Sequence, residues 1–362
     1  MKKIILVVLA AAIMLSGCTR KTMDDPSVLT KDNLKVGFIF NGTINDGGYT
    51  KAHNLGRLEL ERSGILTYYV ENVPEDENCL KIIRSLVKHG CHIIYSTSYG
   101  YRDYVLQAAK EFPNVKFSQC AGDVLAENVS TYFGRMYEAR YLSGIIAGLK
   151  TSSNKIGFVA AYPIPECIRG INAFTLGVLS VNPDAHVEVL WTKSWNDPMA
   201  EKKLAGELLN NGCDIIAQHQ NSTAVQSVAE SRGAYCIGYS VRTPKTAPKA
   251  YLTAPLFNWG VYIKNDVDRL LEGTWKSRAY WEGLESGIVA LDNLSGLCAP
   301  GSQKKIEEAE TRIISGSLDI FKGPIYDQDD VLCVEEGESL SPEEIWNMSW
   351  FVKGVVGSTI DL

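Results

Sequence analysis

The chain has no surplus of positive charge: 36 Lys and Arg stand against 42 Asp and Glu, for a net charge of −6. Proteins that neutralise nucleic-acid phosphates carry a basic stripe, and the absence of one argues against a nucleic-acid partner. There are only five histidines, scattered, and no two cysteines stand in a CxxC spacing. A zinc or thiol-redox centre therefore has no support, and no metal or cofactor is expected. The sequence contains no GxSxG, no HExxH, no Walker GxxxxGK[ST] and no complete GxGxxG following a strand. Catalytic residues are accordingly not assigned, and the expectation is a protein that is not an enzyme. After the first few residues no stretch is apolar enough to cross a bilayer.

The first residues have a different character. Lys2 and Lys3 precede an apolar run of 11 residues, Ile4 to Met14, which has the length of a signal-peptide core and is too short for a membrane span. Leu15-Ser16-Gly17-Cys18 follows and resembles the lipobox of bacterial lipoproteins. The expectation is a signal peptide at 1–17 and lipidation of Cys18. Two or more acyl chains, at about 0.8 kcal/mol per buried CH₂, anchor stably where one binds only marginally. The polar segment 18–33 then reads as a lipidated tether, so the membrane is contacted through the anchor alone.

Eight other cysteines remain. An even number in an exported chain suggests disulfides. Cys91 and Cys213 each open a strand-like run, however, and Cys120 and Cys236 each lie in another, so they read as small core residues.

What the sequence does contain is a repeat. Lys35-Val36-Gly37-Phe38-Ile39 recurs as Lys155-Ile156-Gly157-Phe158-Val159, displaced by 120 residues. The segment from Leu86 through Gly90-Cys91 to Ile94 recurs from Leu208 through Gly212-Cys213 to Ile216, displaced by 122. Cys120 and Cys236 mark the matching later strands. Each repeat alternates short apolar strands with helices, such as Tyr49 to Ser63 and Ala200 to Asn211. That alternation implies parallel sheets with right-handed crossovers. The expected fold is α/β, with two doubly wound parallel-sheet lobes joined by crossover strands. The N-terminal lobe is expected at 34–131 plus 255–283, the C-terminal lobe at 132–254 plus 284–315, and a C-terminal extension packed on a lobe at 316–362. Helices are expected from Tyr132 and from Asn258, following crossings near 131 and 254.

Open α/β sheets bind ligands beyond the carboxyl ends of their strands. That rule selects Asn45, Asp46 and Tyr49 after the first strand, Ser98 and Tyr99 after the third, and Asp123 after the fourth. In the second repeat it selects Tyr162, Trp195, Gln220 and Tyr239, with Trp259 at the start of the later helix. His219, flanked by amides and far in sequence from a carboxylate, reads as structural. Aromatics on both walls suit a flat ring, and polar side chains would read its edges. That composition fits a purine or nucleoside, and a pyranose nearly as well.

These loops resemble the basic membrane protein family of substrate-binding lipoproteins, which includes purine-nucleoside receptors of ABC importers. The resemblance runs through KVGFIFNGTINDGGYTKAHNLGR from Lys35, IIYSTSYGY from Ile93, YLSGIIAGLK from Tyr141 and KIGFVAAYPIPECIRGINAFTLG from Lys155. It continues through WTKSWNDP from Trp191, IIAQHQNSTAVQ from Ile215, NWGVYI from Asn258, GTWK from Gly273 and FKGPIYDQDD from Phe321. It implies a type I periplasmic-binding fold, and a purine stacked between aromatics that Tyr49 and Trp195 would supply, with Asn45 and Asp46 as first-loop contacts. It implies a lipid-anchored, extracytoplasmic protein, expected to be monomeric, that delivers a nucleobase such as adenine, or a nucleoside, to a membrane ABC permease. Two positions depart from the pattern. Ser240-Val241-Arg242 stands where nucleoside binders carry an acidic residue, and Asn221 stands for an expected Asp. Neither can accept as a carboxylate does, which weakens the case for a ribose. A sensory receptor, a surface interaction lipoprotein or a sugar-binding protein on the same fold are the rival readings.

Overall fold

A computed structural model describes residues 28–360. The lipobox, Cys18 and most of the tether lie outside the described residues. Along the first half of the chain run β1 (Lys35–Ile39), α1 (Tyr49–Arg62), β2 (Leu66–Val70), α2 (Glu77–Lys88), β3 (Ile93–Ser96), α3 (Arg102–Glu111), β4 (Lys116–Cys120) and β5 (Val129–Gly134). The second repeat comprises α4 (Met136–Lys150), β6 (Lys155–Ala160), α5 (Pro165–Leu179), β7 (His186–Trp191), α6 (Pro198–Asn210), β8 (Ile215–His219), α7 (Ala224–Ser231), β9 (Tyr235–Ile237) and β10 (Tyr251–Thr253). The remainder holds β11 (Pro255–Phe257), α8 (Trp259–Leu271), β12 (Ala279–Glu282), β13 (Val289–Leu291), α9 (Ser302–Ile314), β14 (Ile325–Tyr326), β15 (Leu332–Val334), α10 (Pro342–Trp346) and β16 (Val355–Val356).

Two six-stranded parallel sheets result, ordered β12-β5-β4-β3-β1-β2 and β10-β9-β8-β6-β7-β16. Each is doubly wound, and the five strands of each repeat share one order, with the sixth added at opposite edges: β12 beside β5 in the first sheet and β16 beside β7 in the second. The repeated residues explain why. Lys35 Nζ donates to the carbonyl of His89, the last turn of α2, at 3.0 Å. Lys155 Nζ donates to the carbonyl of Asn211, the last turn of α6, at 3.1 Å. A cation on the C-terminal carbonyls of a helix satisfies orphan acceptors and opposes the helix dipole. Each lysine thus ties the start of its strand to the end of the second helix after it. Cys91, Cys120, Cys213 and Cys236 are buried and unpaired.

The lobes are joined where the chain crosses between the sheets. The first crossing falls at Arg135, later than position 131. Tyr132 was expected to open a helix but lies in β5, facing Cys120 of β4 and Tyr280 of β12. The run Val-Ser-Thr-Tyr-Phe-Gly is buried at every position, which suits a strand covered on both faces. Arg135 clamps this corner: its guanidinium donates to Glu138 and to Glu285, each at 2.6 Å, while its amide bonds the carbonyl of Glu282. The other crossings pass through β11 and β13, which pair antiparallel with each other between the lobes.

The C-terminal segment goes further than packing, because β16 extends the second sheet beside β7. Buried Asn172 of α5 fastens it, donating to the carbonyl of Trp350 at 2.8 Å and accepting from the amide of Val352 at 3.0 Å. Trp346 sits edge-on to Trp281, at 5.1 Å between ring centroids, beside the first sheet.

Helices α4 and α5 cross so closely that a Cβ on Gly144 would lie 2.0 Å from the carbonyl oxygen of Phe174, and one on Gly177 2.1 Å from that of Tyr141. Backbone cannot yield as a side chain does. Gly144→Ala should therefore destabilise the protein by about 1–3 kcal/mol, the usual range for overpacking. Urea unfolding checks this, and an unchanged midpoint would show that the helices separate at little cost.

Candidate functional site

In both sheets the chain reverses its winding direction between neighbouring strands, at β1/β3 and at β6/β8. The strand ends there are level: Ile39 is paired with Val70 and Ser96, and Ala160 with Trp191 and His219. The loops leaving these ends diverge above and below the sheet and open a crevice. The two crevices face one another and enclose a cavity of about 500 Å³. That lies within the usual size of small-ligand sites, about 300–1,000 Å³.

Of the residues selected from sequence, Tyr49, Ser98 and Tyr99 line this cavity from the first lobe, and Tyr162, Trp195 and Tyr239 from the second. Tyr162 and Trp195 meet edge to face at 5.4 Å. Tyr49 is held from behind, its hydroxyl 3.0 Å from Cys120 Sγ. Phe257, on β11 where the chain crosses between the lobes, touches Tyr49 and Tyr239 edge-on at 6.3 Å each, so one ring supports both walls. The Ser98–Tyr99 turn is held by Gln119, whose amide donates to the carbonyl of Ser98 at 3.0 Å, and by the Ser98 hydroxyl, which donates to Glu75.

The other five selected residues go elsewhere. Asp46 caps α1, accepting from the amides of Gly48 and Thr50 at 3.0 Å and of Lys51 at 2.9 Å. Orphan amide groups at a helix start are strong donors, and its carboxylate is spent on them. Asn45 is exposed on the same loop, outside the lining. Asp123 pairs with Arg102 at 3.0 Å on the surface behind Tyr99. Gln220 is fully buried, its amide donating to the Thr192 hydroxyl at 2.8 Å, because successive side chains leaving a strand point to opposite sides and its neighbour Asn221 takes the cavity side. Trp259 is a core residue, stacked between His53 at 4.4 Å and Phe257 at 4.2 Å.

Sequence reasoning did not select Asn41, Glu75, Ile164, Glu166, His219 and Asn221, all of which line the cavity. His219 is not merely structural. Its Nε2 lies 3.5 Å from Oε1 of Glu166, a residue 53 positions earlier in the first turn of α5. The signal for Glu166 was its place just past a strand end, the same rule that selected Tyr49. Burial alone would raise the Glu166 carboxyl, but His219, Arg169 and Arg140 together hold it below the usual carboxylate range. Burial lowers His219, and the two arginines reinforce this against the pull of Glu166. The pair is thus an ionised carboxylate facing a neutral imidazole. Arg140 lies beneath them, pushed down by burial to about 10 and still cationic at neutral pH. Its Nη1 donates to the carbonyl of Gln218 at 2.9 Å and its guanidinium covers the Tyr239 ring at 4.4 Å. No lysine or arginine is among the described residues that line the cavity.

The lobes touch at the cavity rim. The amide of Gly47 donates to the carbonyl of Asn221 across the cleft at 2.7 Å. A Cβ on Gly47 would lie 3.0 Å from Thr223 Cγ2 and 3.1 Å from that carbonyl oxygen, so the approach depends on glycine. Here Asn221 uses its backbone to latch the lobes and exposes its side chain to the cavity.

A family model described as ABC transporter substrate-binding protein, PnrA-like, matches residues 33–322. A purine-binding protein of Brucella abortus is 40% identical over 329 residues, which cover 90% of this chain and 93% of that protein. A putative ABC transporter glucose-binding protein of Haloferax volcanii is 32% identical over 340 residues, covering 93% and 84%. Among solved structures, an ABC transporter solute-binding protein of Aeropyrum pernix superposes with a TM-score of 0.70 at 20% identity, covering 80% of this chain and 94% of that one.

Beneath the cavity, His53 gives the first lobe a pH response. Its Nδ1 bonds the carbonyl of Tyr49 at 3.1 Å, its Nε2 is buried without a partner, and burial lowers its pKa to about 3. Below about pH 6.5 the unfolded chain takes up a proton that the folded chain refuses until about pH 3, so stability falls with falling pH across that window. The slope from one such group is about 1.4 kcal/mol per pH unit. His219 and His92 are shifted in the same direction and add to it. His53→Phe keeps a ring against Trp259 and should flatten the acid limb by about that slope between about pH 6 and pH 4, read by denaturant unfolding. An equal slope in both proteins would mean that His53 is protonated in the fold.

Proposed function

The chain belongs to the PnrA-like family of ABC transporter substrate-binding proteins, and from that premise we propose that it captures a purine, as a nucleobase such as adenine or as a nucleoside, and delivers it to an ABC importer. Capture takes place outside the cytoplasmic membrane, with the protein anchored through a lipidated Cys18. The observation that carries the reading is the wall composition: Tyr49 and Tyr99 on one lobe face Tyr162, Trp195 and Tyr239 on the other across about 500 Å³. Flat rings on both sides of a cleft favour a flat ligand, each stacked pair adding about 0.5–1.5 kcal/mol beyond area burial. Asn41, Ser98, Glu166 and Asn221 then supply polar groups for the ring edges. The 40% identical purine-binding protein of Brucella abortus supports the ligand class. Base and nucleoside are both kept in this reading: Ser240-Val241-Arg242 stands where nucleoside binders carry an acidic residue, which weakens the case for a ribose.

The mechanism follows from the hinge. A ligand that touches both walls is bound fully only when the lobes close, so its binding free energy shifts the open–closed equilibrium toward the closed form. The latch of Gly47 on Asn221 belongs to that form. A permease able to recognise closure would then distinguish loaded from empty protein. Carboxylates at Glu75 and Glu166, with no cation in the lining, disfavour a phosphate on the ligand.

Thermal shift and calorimetry on protein refolded to remove bound ligand test the reading. Adenine at 100 times its Kd should add about 2.7 kcal/mol of stability. Trp195→Ala should weaken binding about tenfold, the equivalent of about 1.4 kcal/mol, and a purine mononucleotide should bind less well than the base. Stabilisation by glucose and by no purine would replace the purine with a sugar. Gly47→Val separates closure from contact: it should leave the melting temperature of the empty protein unchanged and weaken ligand binding tenfold or more, about 1.4 kcal/mol. Unchanged affinity would remove the latch from the mechanism.

A further inference from the structure

We propose that Glu166 chooses among purines, by requiring an amino group rather than an oxo group on the ring edge that meets it. The inference rests on the purine reading and adds the class of purine. Glu166 lines the cavity with its side chain 21% exposed, and Oε1 lies 3.5 Å from His219 Nε2. An ionised carboxylate only accepts, through about four lone-pair sites, and His219 can occupy one. The buried arginines behind it give hydrogen bonds elsewhere: Arg140 Nη1 donates to the carbonyl of Gln218 at 2.9 Å, and Arg169 Nη1 to that of Trp346 at 3.1 Å.

His219 reinforces the preference. Facing Glu166, Nε2 is assigned the proton, so His219 donates toward the carboxylate and leaves the other carboxylate lone pairs for the cavity. This stretch of wall therefore presents a carboxylate acceptor. A ligand amino group donates to it. An oxo oxygen in its place would set acceptor against acceptor and strip water from both, the arrangement by which polar sites reject analogues most strongly.

Adenine and hypoxanthine test this because they share a skeleton and differ on one edge: adenine has a 6-amino donor beside a bare N1 acceptor, and hypoxanthine a 6-oxo acceptor beside an N1–H, so the preference reads whether Glu166 meets the 6-position itself. Calorimetry on the purified protein should give a preference for adenine of about ten- to hundredfold, the range for a hydrogen bond to a charged group. Glu166→Gln introduces an amide that can donate to an oxo group, and the preference should collapse to within about threefold or invert. Glu166→Asp keeps the charge and should keep the preference at reduced affinity. A ratio of two dissociation constants is insensitive to any fraction of misfolded variant. If Glu166→Gln binds neither base while Glu166→Asp still prefers adenine, the carboxylate is required and the proposal stands. If wild type binds both bases equally, or Glu166→Gln keeps the wild-type ratio, the proposal falls and the purine reading survives. If wild type binds neither base, both fall.

Discussion

Two parallel sheets whose five repeat strands share one order stand with their carboxyl ends facing each other, and the rest of the molecule follows from that constraint. A parallel sheet needs helices on both faces, which leaves only its strand ends free to meet a ligand. At β1/β3 and β6/β8 the winding reverses, and the loops there part. Setting one such gap against another makes an enclosed space without any element dedicated to building it. The lysine ties at the start of β1 and β6 and the close crossing of α4 with α5 hold strands and helices together within the lobes. Between the lobes, Arg135 clamps one corner and Phe257 braces both aromatic walls.

The electrostatics of the cleft are set from below its surface. His219, with buried Arg169 and Arg140 behind it, holds the Glu166 carboxyl below its usual range against burial, and burial, reinforced by the two arginines, lowers His219. The cavity thus has an anionic acceptor in its wall and cations only behind it. A neutral ring carrying N–H donors suits that wall, and an anionic ligand does not. Contact with both lobes and complementarity to Glu166 act together, because closure removes water and makes any unpaired polar group costly.

The repeat made the two-lobed fold legible, since Lys35 and Lys155, Gly90 and Gly212, and the apolar strands recur at nearly constant displacement. Six of the aromatic and hydroxyl residues selected by their position after a strand line the cavity. What could not be read was direction. Asp46 and Tyr49 lie three residues apart, yet one turns into the helix start and the other into the cleft. Gln220 and Asn221 diverge in the same way. The Glu166–His219 pair joins the first turn of α5 to the end of β8, and only the sheet order brings them together. Trp259, which opens a helix beyond a crossing and from sequence could face the cleft or the core, is stacked in the core between His53 and Phe257.

The most direct measurement is a crystal structure of the protein grown with saturating adenine. The account predicts the ring lying between Tyr49 on one lobe and Trp195 on the other, with the amide of Gly47 on the carbonyl of Asn221. A ring bound outside this cavity, or an empty cleft at saturating ligand, would contradict it.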